Sequence, residues 1–355
     1  MADIPKTMKA VVLTGPGEYE IKEVETPVPG PGEVLARVES VAICGTDPKI
    51  IKGVFKGMWP KSYPFIIGHE WAGTVVSQGP DAFKFSEGDR IAGEAHKGCG
   101  YCKHCKTGRY TICLNYAKTE TGHRHYGFTA QGAYAQYIVA SERAAHLMPE
   151  NISFDEGTNV DTAGTALHGL KRAKITPGDD VAIFGPGAVG LLSVQFAKAL
   201  GAGRAIMIGR KERLDMAEKL GAIPVNYEKG DPVEQVMKLT DGKGVQVAVE
   251  CAGTETSFLQ AIKITEKGAR IVMNGLPVKE ISLPISSITL DEKDLIGVRA
   301  DPNTCSELMP LLANGTIKIG PMITHTFPID KFTEALKVFS ERLDGAIKVI
   351  IKPNE

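Results

Sequence analysis

Residues 179–202 read DDVAIFGPGAVGLLSVQFAKALGA, and their order of residue types decides half of the fold. A short apolar run, Val181 to Phe184, ends in glycine, and the next residues repeat apolar side chains at helical spacing up to a stop at Gly201. Between the two lies G-x-G-x-x-G, carried by Gly185, Pro186, Gly187, Val189 and Gly190. Alone the motif is weak; placed after a strand and opening a helix it has a mechanism. The first glycine permits a tight turn, the second lets the backbone approach a pyrophosphate, and the third allows close helix packing. The helix N-terminus then faces the phosphates. The bland alternative is a glycine-rich turn in some other α/β fold.

Downstream, strand-like and helix-like runs alternate: RAIMIG, KERLDMAEKLGA, VQVAVECAG, ETSFLQAIKIT and ARIVMNG. Repeated pairs of this length predict a parallel sheet with helices on both faces. The end of the second strand carries the signal for the nucleotide. An acid there would bond a ribose 2′-hydroxyl and repel a 2′-phosphate. This chain has Gly209, Arg210 and Lys211 instead, so the expected cofactor is NADP in preference to NAD. The alternative reading leaves both cations as solvated residues at a helix start. Upstream, the first 150 residues are rich in Gly, Pro and β-branched types and predict a β-rich domain with irregular loops. After residue 300 an amphipathic helix, PIDKFTEALKVFSE, precedes a closing strand, AIKVIIKP.

A chain of 355 residues exceeds one hydrophobic core, so two domains are expected. The expected division is 1–160 with 301–355 returning to it, and 161–300 for the nucleotide-binding part. Net charge is −1 with scattered cations, which gives no basic stripe for nucleic acid. The most apolar stretch, Val181 to Leu200, is broken by Gly, Pro, Gln and Lys, which argues against a membrane span. The N-terminus lacks the apolar core of a signal peptide, and a cytoplasmic protein is expected. In a reducing compartment seven cysteines do not form a disulfide scaffold. Four of them, Cys99, Cys102, Cys105 and Cys113, follow C-x2-C-x2-C-x7-C, a spacing that lets one loop wrap a tetrahedral zinc, with an iron–sulfur cluster as the weaker option. Four thiolates leave no vacancy, so this site holds structure and a catalytic metal must lie elsewhere.

Cys44 in AICGTD, His69 and Glu70 in GHEWAG, and Asp161 in NVDTAGTALHG can converge on a metal with a vacancy. Taken singly, each has a plainer reading: a core Cys or His, or a helix-capping Asp. Together with GDRIAGE, the four-cysteine lobe, GPGAVG and KLGA, the order resembles the zinc-dependent medium-chain alcohol and polyol dehydrogenases over essentially the whole chain. GEAHKGCGYC and MITHTFPIDKF are similar to the threonine dehydrogenase branch.

The resemblance implies an α/β protein: a GroES-like β-rich catalytic domain and a Rossmann domain with a doubly wound parallel sheet. It implies two zinc ions per chain, the catalytic one on Cys44, His69 and Asp161, with Glu70 as an exchangeable ligand. Thr46 would accept the substrate hydroxyl proton and His96 would contact substrate. His123 and His125 read as polar loop residues. The implied activity is hydride transfer between a nicotinamide and a polyol or secondary alcohol or ketone, in a homo-oligomer, tetramer or dimer. The alternatives are oxidation of an amino alcohol such as L-threonine and, from another class, a non-catalytic NADP-binding redox sensor.

Overall fold

The computed structural model describes residues 4–355, which form two compact units. The first runs to Asp161 and takes in Cys305–Ala313 and Ile319–Glu355. The second comprises Thr162–Thr304 and the short return Asn314–Lys318. That return is tied by Gln195, whose side-chain amide donates to the Lys318 carbonyl at 3.0 Å and accepts the Lys318 N–H at 2.8 Å.

The first unit is built on a seven-stranded sheet. Along it lie Ala145–Leu147, Arg90–Gly93, Glu70–Gln78, Glu33–Ala42, Lys348–Lys352 and Ile323–Pro328, with Tyr137–Ser141 also paired to Glu33–Ala42. A second sheet joins Glu18–Glu25, Thr7–Gly15 and Phe65–Ile66. The alternating runs of the early sequence are these strands, and their inward residues build a core around Trp71, Tyr134, Ile67 and Phe332. Gly93 shows how tight that core is: a Cβ there would stand 2.2 Å from the Trp71 ring. The strand Lys348–Lys352 inserts between two others, antiparallel to Glu33–Ala42 and parallel to Ile323–Pro328, so residues late in the chain lie beside its early ones.

The second unit holds six parallel strands in the order Ile223–Asn226, Arg204–Gly209, Asp180–Phe184, Val245–Glu250, Thr265–Met273 and Asp294–Gly297. In chain order that is third, second, first, fourth, fifth, sixth, the doubly wound arrangement, which binds ligands at the carboxyl ends where the order reverses. Val181, Ala182 and Ile183 are fully buried, as befits a parallel strand covered on both faces. The expected helices follow, beginning with Ala188–Ala199 and Lys211–Lys219.

Candidate active site

Cys44, His69 and Glu70 bring their ligand atoms within 4.8 Å of one another. Cys44 sits where the strand Glu33–Ala42 gives way to the short helix Asp47–Ile51; Glu70 opens the strand Glu70–Gln78 and His69 precedes it. Asp47 organises the group. One carboxylate oxygen accepts the Cys44 N–H at 2.8 Å and the Tyr134 hydroxyl at 2.6 Å; the other faces His69 Nδ1 at 3.5 Å. A carboxylate behind Nδ1 orients the imidazole and leaves Nε2 for an ion. Glu70 is ion-paired with the buried Lys348. Burial, then the Glu70 and Asp47 carboxylates, push the Cys44 thiol well above its ordinary pKa. A cation would reverse that balance, so a sulfur, imidazole and carboxylate donor set here fits a zinc.

Asp161 is not in this group. It lies in the first turn of Val160–Ala173, and one of its oxygens accepts the Ala95 N–H at 2.7 Å. Its short side chain is thus tied to the end of the strand Arg90–Gly93, and Glu70 takes the acidic place among the gathered ligands. Asp47, Tyr134 and Lys348 were not foreseen. Asp47 stood in view in AICGTD, three residues beyond Cys44, whereas nothing in the sequence points to Lys348.

Thr46 Oγ1 is buried beside the Cys44 thiol and has no other hydrogen-bond partner. His69 packs on Phe128 at 4.6 Å between ring centroids; His125 stacks on Phe128 at 3.7 Å, and His96 stacks on His125 at 3.8 Å. The Trp59 indole N–H donates to the Tyr116 hydroxyl at 2.7 Å, and that hydroxyl lies 2.6 Å from His125 Nδ1. The expectation of polar loop histidines fails here. His123 is 0% and His125 5% exposed, because His96 and His125 are directly paired in a two-stranded sheet that folds the 120s inward.

In the lobe, all four thiols also lie within 4.8 Å of one another, with Cys99–Cys105 and Cys102–Cys113 each at 3.9 Å. A tetrahedron with Zn–S bonds of about 2.3 Å has edges of about 3.8 Å, so the residues fit a closed zinc site. Burial pushes the Cys99 thiol up, but hydrogen bonds from the Asn115 side chain and the backbone outweigh it and bring the pKa down to about 6. Backbone N–H groups of Cys105 and Leu114 lower Cys102, while burial raises Cys105 and Cys113.

A third group, Glu94, His146 and Cys305, needs no ion. Burial pushes Glu94 up to about 8 and lowers His146 to about 4, leaving both neutral near pH 7. His146 Nε2 and Glu94 Oε2 lie 2.9 Å apart, within hydrogen-bond distance.

In the second unit, Gly185 has φ of +94° and a Cβ on Gly190 would stand 2.1 Å from the Gly185 carbonyl oxygen, so the turn can only be made with glycine. Gly187 caps the helix Ala188–Ala199 without a side-chain bond, and a Cβ there would meet only open space. That leaves room for a pyrophosphate at the helix N-terminus. At the neighbouring strand end, Arg210 is half-exposed, 3.2 Å from Glu228, with its guanidinium 5.9 Å from the centre of the Tyr227 ring. Lys211 begins the helix Lys211–Lys219.

Two family models match the chain: the alcohol dehydrogenase GroES-like domain over residues 30–150 and the zinc-binding dehydrogenase domain over residues 188–314. Sorbitol dehydrogenase of Bacillus subtilis is 32% identical over 354 residues, covering 99% of each chain. Sorbitol dehydrogenase of Bos taurus is 30% identical over 98% of this chain and 97% of its own. The NADP-bound structure of a Sinorhizobium meliloti protein classed with the zinc-binding dehydrogenases superposes with a TM-score of 0.89 at 30% identity, covering 98% of this chain and 100% of that one. No helix among the described residues is long and apolar enough to cross a membrane.

Proposed function

The chain belongs to the zinc-dependent medium-chain alcohol and polyol dehydrogenase family, and from that premise we propose that it oxidises a polyol or secondary alcohol reversibly to the ketone, with NADP as the preferred hydride acceptor. The observation that carries the reading is the gathered Cys44–His69–Glu70 set with the buried Asp47 behind it, in a chain whose glycine turn is intact. Those three residues would hold the catalytic zinc, and Cys99, Cys102, Cys105 and Cys113 a structural one. Bound there, zinc supplies Lewis acidity, which lowers the pKa of a substrate hydroxyl. Thr46 Oγ1, beside the thiol, would take the substrate hydroxyl proton as its own passes to solvent, and a bound nicotinamide would accept the hydride from the carbinol carbon as the carbonyl forms. The rings of Phe128, His125 and His96 wall the site, where His96 contacts substrate. The reading also carries a homo-oligomer, tetramer or dimer, in the cytoplasm.

Arg210 supports NADP because its planar fork suits a phosphate. One charge-assisted bond contributes about 1.5–3 kcal/mol, roughly 10- to 150-fold. Glu228 already engages the guanidinium, which puts the expected preference near the lower end. The test is kcat/KM for polyols, secondary alcohols and L-threonine with both nucleotides. Turnover of polyols or secondary alcohols favouring NADP about tenfold, lost in Arg210→Ala, supports the reading. Selective turnover of L-threonine would move the substrate class, and better kinetics with NAD would remove the cofactor assignment.

A further inference from the structure

Gly209 does not have a positive φ, so its backbone conformation alone does not demand glycine. The demand comes from across the sheet. A Cβ built on Gly209 would stand 2.6 Å from Cγ and 2.7 Å from Cδ of Pro186, closer than carbon atoms approach without displacement. Neither partner can retreat easily. Pro186 is a closed ring with fixed φ, and its turn is pinned on both sides. The Gly185 N–H donates to the Ile208 carbonyl at 3.1 Å, and the Gly185 carbonyl fills the space where a Gly190 side chain would lie. Gly209 is held by strand register, since Phe184 pairs with Ile208, and its carbonyl accepts the Tyr227 N–H at 3.2 Å.

We propose that Pro186 and Gly209 form a steric lock on cofactor choice: the proline in the pyrophosphate turn bars any side chain, and hence the NAD-selecting carboxylate, from the end of the neighbouring strand. The lock rests on the NADP reading for its biological sense, but its physical content is the coupling between positions 186 and 209. Gly209→Asp alone therefore does not convert the enzyme to NAD. It displaces the turn that holds the pyrophosphate shared by both nucleotides. Alanine at 186 removes Cγ and Cδ and leaves a Cβ, which in the present geometry stands 3.5 Å from the added atom, an ordinary contact.

The test is the equilibrium binding of NADPH and NADH, followed by nucleotide fluorescence, to wild type, P186A, G209D and P186A/G209D. Overpacking predicts that G209D weakens both nucleotides by about tenfold or more, and that P186A/G209D recovers NADH affinity by about tenfold over G209D and favours NADH. Equal NADH affinity in G209D and the double variant would overturn the lock. Should G209D not fold, G209A and P186A/G209A put the same question with one methyl group. Loss of NADPH affinity in G209A and its recovery on adding P186A support the lock, and wild-type affinity in G209A refutes it. Tighter NADH than NADPH binding in the wild type would remove the cofactor reading, while the 186–209 cycle still decides the lock by itself.

Discussion

The four-cysteine lobe and the Cys44 group both gather metal-seeking side chains, yet they are assembled on different length scales. The lobe draws every ligand from Cys99 to Cys113, around a four-residue helix and a single 3-10 turn. Local N–H donors already favour the thiolate at Cys99 and Cys102. The Cys44 group joins Cys44, with Asp47 close by in sequence, to the His69–Glu70 pair at the start of a neighbouring strand, and draws Tyr134 and Lys348 from far along the chain. Its thiol is raised by burial. In the first case a bound metal would order a loop that has little core of its own; in the second the core already gathers the residues that would hold one. Breaking the lobe should therefore cost structure, and breaking the Cys44 group should cost chemistry.

The largest effect falls on the second group. Cys44→Ser or His69→Ala removes Lewis acidity of several kcal/mol, so kcat/KM falls by roughly two orders of magnitude or more while NADPH binding persists. Turnover within about tenfold of wild type in either variant would place the catalytic metal elsewhere. Next comes Cys102→Ser, which should lower zinc content from two ions per chain to one and reduce the melting temperature by roughly 5 °C or more. An unchanged zinc content and melting temperature would end the structural assignment.

Asp161→Ala sharpens the boundary between the two kinds of site. The Ala95 N–H loses its acceptor, which costs about 1–3 kcal/mol of stability, and both zinc ions remain. Release of one zinc would show that Asp161 turns toward the ion when it is bound. The smallest effect concerns Glu94 and pH. Its pKa is raised from 4.5 to about 8, so its proton stabilises the fold fully below about pH 4.5, a contribution lost as pH rises through 8. E94Q lacks that loss and should gain in melting temperature relative to wild type between pH 5 and 8. His146, lowered from 6.5 to about 4 by burial and Lys84, acts in the opposite sense below pH 6.5, so the gain is read between pH 6.5 and 8, where His146 stays neutral. Parallel melting curves across that range would argue against a neutral, buried Glu94.

What could be read beforehand follows the same division of scale. The glycine turn, the four-cysteine spacing and the strand–helix alternation are local patterns, and local geometry is what sequence spacing encodes. Cys44 and His69 were visible because each sits in a short motif. That Glu70 stands beside them while Asp161 faces the Ala95 N–H was not, because it depends on which carboxylate the backbone near Ala95 engages. His123 and His125 looked like solvated loop residues because a two-residue strand pairing leaves no periodicity to read. The absence of an acid at 209 was plain, but its steric cause depends on the register of two strands.

The pairing of Lys348 with Glu70 spans 278 positions of chain. During synthesis Cys44, His69 and Glu70 emerge early, and the whole nucleotide-binding unit is made before the strand that carries Lys348 can slot in beside Glu33–Ala42. Until then the central sheet has an open seam where that strand will lie. The nascent protein can thus present a complete Rossmann sheet while Cys44 still stands in an unfinished setting. The sheet of the first unit is complete only once this last strand of the chain is in place.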